Sequence, residues 1–453
     1  MAIELLFGMI IAALAGTVIY TIIGIIPGTD ETAVIAPVTL SLILLGIEPI
    51  YVFTFFMAAI IAHKVTDSVP VAVAGIPGGV MAAPMVEHAV QFKKHGQADL
   101  SIRKMASGSV IGTLVAVPFS LVFAWVLTPI ADWVQNYAGP LFFFGAILLA
   151  LLSKNRFVSL VAIIPFMLLV QGLRHLYWDT GVVPEGRNVF TSFFLGITIG
   201  PVIVTLIELL NKDKRDKMKR YPKQTLSIEK SKKKKRMPNP FRILTLKESC
   251  LSGLASIIGS LTFILSAVGT TTLIGELFSN FEKERLKKSS LAIACMEALA
   301  NATYISGILI PLIAFGIPFS SVSLGPGLPL FQAPPVFDQE YNMHHALNLN
   351  QIIWATLIGA GIALCITYFI VVKYSKEISA FVFKWIPHEA IIGLFVGLVF
   401  LLGYIDAGWV NIAGVLLVSL VAGTLHRLGV SFGVLFMALY SAPWLMEVIS
   451  NLH

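Results

Sequence analysis

Long apolar runs fill most of this chain, and proline and glycine interrupt them at a few places. Hydrophobic residues make up 57% of the sequence and charged residues 13%, whereas a soluble domain carries about 25% charged residues. The runs are continuous instead of alternating, which favours membrane-spanning helices over a membrane β-barrel. The sequence therefore predicts an all-α polytopic membrane protein with roughly 10–13 membrane segments of about 20 residues each.

The central interruption is Gly75-Ile-Pro-Gly-Gly79, which follows an apolar run. Proline removes one helical hydrogen bond, and glycine adopts backbone angles that other residues avoid. Within hydrocarbon, the backbone groups that such a break frees must find partners or line a wet cavity. The break thus indicates a binding site instead of a turn that faces lipid.

The second half of the chain repeats this interruption. Pro70-Val-Ala-Val-Ala-Gly-Ile-Pro77 matches Pro311-Leu-Ile-Ala-Phe-Gly-Ile-Pro318 in both prolines, the glycine and the isoleucine. A further break precedes each motif at nearly the same distance, at Gly24–Asp30 in the first half and at Ala267–Thr272 in the second. Such paired breaks are typical of a secondary transporter built from two inverted repeats, although glycine and proline are common in membrane helices generally.

A basic linker separates the two halves. We predict a first transmembrane repeat over residues 1–210, a cytoplasmic linker over 211–247 and a second transmembrane repeat over 248–453. Residues 211–240 hold 13 basic and three acidic side chains, which fits the excess of Lys and Arg in cytoplasmic loops. The run Lys232–Arg236 also resembles a localisation signal or a phosphoinositide patch. We expect a multi-pass protein of the cell (inner or plasma) membrane with no nucleic-acid partner.

Acidic residues stand within or beside the breaks, where a membrane-embedded carboxylate costs about 2.5–3.5 kcal/mol. Sodium prefers oxygen ligands, which unwound carbonyls, carboxylates and hydroxyls supply. We predict that four side chains couple an ion gradient: Asp30, Asp67, Glu297 and Asn301. Glu297 and Asn301 are four residues apart and share one helix face. Alternatively, the acids of the first half cap helices in an aqueous vestibule.

Hydroxyls and glycines around the breaks supply neutral hydrogen-bonding groups. Helix N-termini with hydroxyls form a suitable cradle for an anion, although hydroxyls in membrane helices also bond to their own backbone. Lys64 and His63 are candidates to pair with Asp67 or with a substrate carboxylate, or Lys64 snorkels at a helix end. The predicted substrate-binding residues are Gly28, Thr29, Asp30, Glu31, Gly78, Gly79, Thr270, Thr271, Thr272, Ser320, Ser321 and Ser323.

Two motifs of common enzyme classes are absent from the sequence. It has no Walker A loop, which argues against ATP-driven transport by this chain, and no HExxH. The three cysteines show no CxxC spacing. We therefore expect no enzymatic activity, no cofactor and no metal ion beyond a possible sodium ion.

Several short motifs follow one another in a fixed order along the chain. They are Gly24–Gly28, Gly75–Gly78, Gln91–Ala98, Glu297–Ala298, Asn301–Ala302, Leu309–Pro311 and Gly316–Pro318. This ordered set resembles the large permease subunit of the tripartite tricarboxylate transporter family. The chain departs from the family pattern at the first break, where Asp30-Glu31 stands in place of Gly-Pro. It also departs at Gly75, His88-Ala89 and Phe319, where the family has Asn, Asp-Gly and Gly.

The resemblance implies a secondary transporter that uses an ion gradient to import carboxylates. It also implies two partners, a small membrane subunit and an extracytoplasmic solute-binding protein, and a homodimer is compatible with it. We predict import of a small organic anion, coupled to a sodium or proton gradient, at a site between facing broken hairpins. A passive channel and a non-transporting membrane scaffold with a basic recruitment loop are the alternatives.

Overall fold

The computed structural model describes residues 3–26, 29–75, 78–184, 189–213, 239–265, 267–338, 340–385 and 388–451. The structure is 83% helical, and the described residues form no strand. The helices are α1 (Ile3–Gly24), α2 (Glu31–Leu44), α3 (Pro49–Thr66), α4 (Ser68–Ala74), α5 (Val86–Lys94), α6 (Ala98–Leu127), α7 (Ala131–Asn136), α8 (Ala138–Leu152), α9 (Arg156–Asp179), α10 (Phe190–Leu210), α11 (Pro240–Ile243), α12 (Leu246–Leu261), α13 (Ala267–Ser279), α14 (Arg285–Ile310), α15 (Met343–Ala346), α16 (Leu349–Trp385), α17 (His388–Arg427) and α18 (Phe432–Ser450).

Nine segments among the described residues are long and apolar enough to cross a membrane, and α2 and α8 are shorter apolar helices. This confirms the predicted all-α polytopic membrane protein. Residues 214–238 of the predicted linker lie outside the described residues. The division into two repeats and a linker stays a prediction.

The longest helix, α17, folds back on itself near its middle. Ala407 (φ −150°, ψ 31°) and Gly408 (φ 68°, ψ −160°) leave the helical conformation. The amide Nδ2 of Asn411 donates to the carbonyl of Gly403 at 2.8 Å, whereas a continuous helix would separate these residues by about 12 Å. The chain therefore reverses at Gly408, and α17 consists of two packed arms.

In the first half, α1 and α3 run parallel and pack directly on each other, and α2 connects them in the reverse direction. A side chain at Gly16 would meet the backbone of Phe55, and one at Gly24 would meet the backbone of His63. Close approach of two backbones at such small residues is the usual way in which membrane helices pack. Both α1 and α3 therefore end at the same depth, near the first set of breaks.

In the second half, α12, α13 and α14 follow an equivalent path. Ser252 of α12 approaches Cys295 of α14, and Ser260 contacts Ser306 further along both helices. These two helices therefore run parallel. The ammonium of Lys247, at the start of α12, donates to the carbonyl of Phe281 just after α13 at 2.8 Å, so α13 returns alongside them.

The helix at the centre of the molecule is α14. The most apolar part of the span Arg285–Phe315 is entirely buried, and the most apolar part of Pro49–Val73 is 89% buried. Gly108 and Gly112 of α6 lie directly against the backbone of Ala294 and Ala298 of α14. Each of these two buried spans leads into one of the repeated breaks, so the core of the protein holds both breaks in place.

Candidate functional site

The two repeated Gly-Ile-Pro motifs end their helices in the same way. Gly75 has φ 70° and its N–H donates to the carbonyl of Pro70. Gly316 has φ 66° and its N–H donates to the carbonyl of Pro311 at 3.0 Å. The left-handed conformation costs a residue with a side chain about 1–2 kcal/mol, which explains glycine at both positions. Pro77 lies outside the described residues.

The earlier break of the first half lies between α1 and α2. Pro27 and Gly28 lie outside the described residues, so the predicted role of Gly28 stays a prediction. The hydroxyl of Thr29 donates to the carbonyls of Ile23 and Ile26, at 3.2 and 2.9 Å. One carboxylate oxygen of Asp30 accepts from the backbone N–H groups of residues 32 and 33, at 3.0 and 3.2 Å. Asp30 therefore caps α2, as in the alternative given for this acid.

The earlier break of the second half does not lie where the sequence predicts it. Helix α12 ends at Leu261 and α13 begins at Ala267, so Thr270, Thr271 and Thr272 belong to the first two turns of α13. The hydroxyls of Thr270 and Thr272 donate to carbonyls of their own helix, at 3.1 and 2.8 Å, and Thr272 is exposed. Placing the interruption at Ala267–Thr272 was wrong, because the gap lies before Ala267 and this local bonding lets threonines continue a helix.

Both halves of the chain line one cavity of about 140 Å³. The first half contributes the N-terminal end of α2, and the second half contributes the N-terminal end of α13, the loop after Pro318 and residues around the start of α18. The lining residues are Asp30, Glu31, Thr32, Met81, Leu149, Ala267, Val268, Tyr304, Ser321, Val322, Pro326, His426, Ser431, Phe432, Gly433 and Phe436.

A group of charges lies directly behind this cavity. The ammonium of Lys64 is 3.1 Å from Oε1 of Glu31 and 2.5 Å from Oδ2 of Asp67. All three side chains are buried, and the ammonium also lies 5.3 Å from the ring centroid of Tyr304. Lys64 therefore joins the start of α2 to the end of α3. We call Glu31, His63, Lys64, Asp67 and Glu297 the charge cluster.

Glu297 and Asn301 reach the charge cluster from α14. Oε1 of Glu297 accepts from the hydroxyl of Ser109 at 2.8 Å, and Glu297 interacts electrostatically with Asp67 and Lys64. Within the part of the chain that the structure describes, Oε2 of Glu297, Oδ1 of Asp67 and both amide atoms of Asn301 are buried without a hydrogen-bond partner. Three of the four predicted ion-coupling residues, Asp67, Glu297 and Asn301, thus carry unused oxygen atoms.

The comparison with protein families identifies the chain at this point. The family model described as "Tripartite tricarboxylate transporter TctA family" matches residues 10–437. The chain belongs to the TctA family. Members of this family are transporter components of tripartite systems that also contain a solute-binding protein and a small membrane subunit. The chain has no significant match among curated proteins or among solved structures.

Membership in the TctA family agrees with the nine apolar spans, and the protein is a multi-pass protein of the cell membrane. The family is a transporter family and not an enzyme family.

In this TctA-family chain, the predicted glycines after the first Gly-Ile-Pro motif pack directly on the charge cluster. A Cβ atom at Gly78 would lie 2.6 Å from Cβ of Asp67, and one at Gly79 would collide with the carboxylate of Glu31. Both glycines are buried. They let the backbone approach the two carboxylates, but they do not line the cavity.

The predicted serines of the second hairpin divide into two roles. The hydroxyl of Ser320 donates to the carbonyl of Gly307 at 2.7 Å. In a regular helix this carbonyl would accept from the N–H of residue 311, but Pro311 has no N–H. Ser323 accepts from the backbone N–H of Ser320 at 2.9 Å. Both are therefore occupied in holding the break, whereas Ser321 lines the cavity.

Sequence reasoning missed Tyr304 and the aromatic residues of α18. Tyr304 follows Glu297 and Asn301 at helical spacing, which places all three on one face of α14, and this signal was present in the sequence. Phe432 and Phe436 line the cavity through the packing of α18. No motif near them in the sequence indicates this role.

Proposed function

We propose that this protein is the membrane component of a secondary transporter that imports a small organic anion together with sodium or a proton. The observation that carries this proposal is the acidic lining of the shared cavity, by Asp30 and Glu31. Two like charges about 4 Å apart at an effective dielectric of about 20 repel by about 4 kcal/mol. An anionic solute therefore binds here only together with a cation, and this requirement couples the two.

The oxygens for that cation belong to Asp67, Glu297 and Asn301. Each buried polar atom without a partner costs about 1–3 kcal/mol, and a cation bound among these oxygens recovers that cost. The charge cluster also holds three carboxylates against the single ammonium of Lys64, so an added positive charge is favourable. We assign the ion-coupling role to these three residues and a capping role to Asp30.

The solute carboxylate binds at the opposite end of the cavity, at the N-terminus of α13. Ala267 and Val268 open this helix and line the cavity, and Ser321 adds a hydroxyl. The free N–H groups and the dipole of a helix N-terminus favour negative charge. An anion at α13 would thus lie in the cavity, and the cation would lie behind it, beside α3.

The directions of the second-half helices support the proposal of inverted repeats. Glu248, beside the linker, contacts Lys104 near the start of α6 and Ser290 near the start of α14. Further along, Ser120 of α6 contacts Ser306 of α14 at 2.8 Å. Both helices therefore run away from the linker face of the protein, and so does α12, which is parallel to α14.

The first-half helices run the other way. Thr21, near the end of α1, contacts Thr367 of α16 at 3.1 Å. The next residue of α16, Tyr368, contacts Ser107 in the first third of α6 at 3.2 Å. The end of α1 therefore lies on the linker side of the membrane, and α1 and α3 run toward the linker face. Opposite directions for equivalent helices support an inverted relation between the halves.

A second cavity, of about 580 Å³, lies on the face opposite the linker. It adjoins the end of the second break and is lined by Gly316, Pro318, Glu340, Trp444 and Glu447, among others. Tripartite systems of this family contain a solute-binding protein. We propose that an extracytoplasmic binding protein releases its solute into this cavity, and that a small membrane subunit completes the complex.

The test is coupled binding to the purified chain. Thermal unfolding in detergent is followed across a panel of carboxylates, each with sodium chloride or choline chloride and at two pH values. Because coupling is reciprocal, the solute and the cation must each strengthen the binding of the other. Uptake into proteoliposomes, with the partner proteins added, must then follow an imposed sodium or proton gradient. Flux that ignores both gradients contradicts the proposal.

A further inference from the structure

Cation-binding groups converge at the end of α3. A carboxylate oxygen of Glu31, a ring nitrogen of His63 and a carboxylate oxygen of Asp67 all lie within 4.8 Å of one another. Carboxylate oxygens ligate hard cations, whereas an imidazole nitrogen ligates mainly transition metals, so the two carboxylates are the groups that a sodium ion would use. The geometry by itself is that of a cation site.

A cationic side chain already occupies this position. The ammonium of Lys64 lies 3.1 Å from Glu31 and 2.5 Å from Asp67, and no part of its side chain is exposed. Lys64 and Asp67 are neighbours on α3, while Glu31 comes from α2. The ammonium of Lys64 therefore supplies the positive charge that holds the carboxylates of Glu31 and Asp67 together. Its own aliphatic side chain fixes the ammonium at this position.

The cation-binding atoms around Lys64 outnumber the N–H groups of its ammonium. Both ring nitrogens of His63 and Oδ1 of Asp67 are buried and, among the described residues, have no hydrogen-bond partner. Both side chains are completely buried. An ammonium has only three N–H donors, whereas a spherical cation accepts ligands from all directions. A neutral imidazole has one lone pair, so His63 and Oδ1 of Asp67 each offer one further ligand atom that the ammonium leaves unused.

We propose that Lys64 is a tethered cation that fills a site formed by Glu31, His63 and Asp67. While Lys64 is present, these groups bind no free sodium, and the coupling cation uses only the remaining oxygens of Asp67, Glu297 and Asn301. This statement about coupling rests on the proposed function. The occupation of the site by Lys64 does not, and it is tested by binding alone.

The experiment removes the tether and offers sodium in its place. Lys64→Ala and Lys64→Gln are purified, and their thermal unfolding is followed in sodium chloride and in choline chloride at equal ionic strength. Both variants should gain a sodium-dependent rise in Tm, beyond that of the unchanged protein, that grows with the logarithm of the sodium concentration. Lys64→Gln keeps most of the side-chain volume and an NH₂ group that donates hydrogen bonds. The sodium dependence of its Tm can therefore be measured even if Lys64→Ala is poorly folded.

Two controls separate this effect from general salt stabilisation. Adding Glu31→Gln to Lys64→Ala removes one of the two carboxylates, so the additional sodium response should disappear. Lys104→Ala also removes a buried ammonium, one that lies 2.7 Å from Glu248. That position offers a single carboxylate, which Ser290 and Thr245 also contact, so no additional sodium response is expected there.

Three results would overturn the proposal. They are an unchanged sodium response in both Lys64 variants, an equal gain in Lys104→Ala, and failure of both Lys64 variants to fold at high sodium, since free sodium would then not replace the ammonium. In proteoliposomes, the additional site should make the sodium dependence of uptake by Lys64→Gln steeper. Absence of transport by the unchanged protein, with the sodium effect on Tm retained in the Lys64 variants, would contradict the transport function and leave the tethered cation standing.

Discussion

The break after Ala74 and the break after Phe315 use the same backbone device in different surroundings. In both, a left-handed glycine donates its N–H to the carbonyl of a proline five residues earlier. The first break lies beside the buried ammonium and carboxylates of the charge cluster. The second is held by the neutral hydroxyls of Ser320 and Ser323. Chain reversal is therefore common to both halves, and all residues of the charge cluster except Glu297 lie in the first.

The ends of the cavity show the same difference. Helix α2 begins with Asp30 and Glu31, whereas α13 begins with Ala267 and Val268. Two helix N-termini thus face one space, the first neutralised by its own acids and the second free of them. Under the proposed function, the acidic end would serve the cation and the end free of acids would serve the anion. The following predictions test this division between a charged and a neutral half.

The largest effect is expected from Lys64→Met in sodium-free buffer. Removing one partner of a buried ion pair leaves uncompensated charge, which typically costs about 3–5 kcal/mol. Thermal unfolding in choline chloride measures the loss. A cost below about 1 kcal/mol, as for an exposed pair, would mean that the first break depends on charge no more than the second.

Glu297→Gln should remove coupling while the fold is retained, because glutamine has nearly the same shape and still accepts from Ser109. Coupling free energies of about 1–3 kcal/mol correspond to 5–150-fold changes in affinity, and a loss in this range is expected for the effect of the cation on solute binding. The paired binding measurements described above provide the readout. Full retention of coupling would show that the cation does not bind at Glu297 of α14.

Ser320→Ala should destabilise the neutral half by about 1–3 kcal/mol, because it leaves the buried carbonyl of Gly307 without a donor. The cation dependence of solute binding should not change. Ser321→Ala is the matched control, since Ser321 lines the cavity and its loss should weaken solute binding with little effect on Tm. A changed cation dependence in Ser320→Ala would break the division between the halves.

The smallest effects are expected from Gly75→Ala and Gly316→Ala. Each forces a side chain into the left-handed region at a cost of about 1–2 kcal/mol, and the added Cβ meets its nearest neighbour at 3.2 and 3.1 Å, respectively. The two losses of stability should therefore be nearly equal. A difference much larger than 1 kcal/mol between them would show that the two backbones are not equivalent.

The sequence predicted the helical membrane fold and the repeated breaks because both depend on local chemistry, namely apolar length and the backbone properties of Pro and Gly. It also placed Glu297 and Asn301 on one face of α14. It did not predict the pairing of Lys64 with Glu31, since this pair joins two helices across a turn. The break before α13 was misplaced because Gly269 and its threonines are tolerated within a helix. Phe432 and Phe436 reach the cavity only through tertiary packing.

The burial of α14 has a consequence for biosynthesis. A helix that carries Glu297 and Asn301 and touches almost no lipid in the finished protein is poorly suited to wait alone in the bilayer. Its partner α6 precedes it in the chain, and Gly108 and Gly112 offer the surface onto which it packs. The surface of α6 onto which α14 packs is therefore already in the bilayer when the second half of the chain is synthesised. Bulky residues at these two glycines would block the packing of α14 on α6, so we expect them to impair membrane insertion of α14 and not only transport.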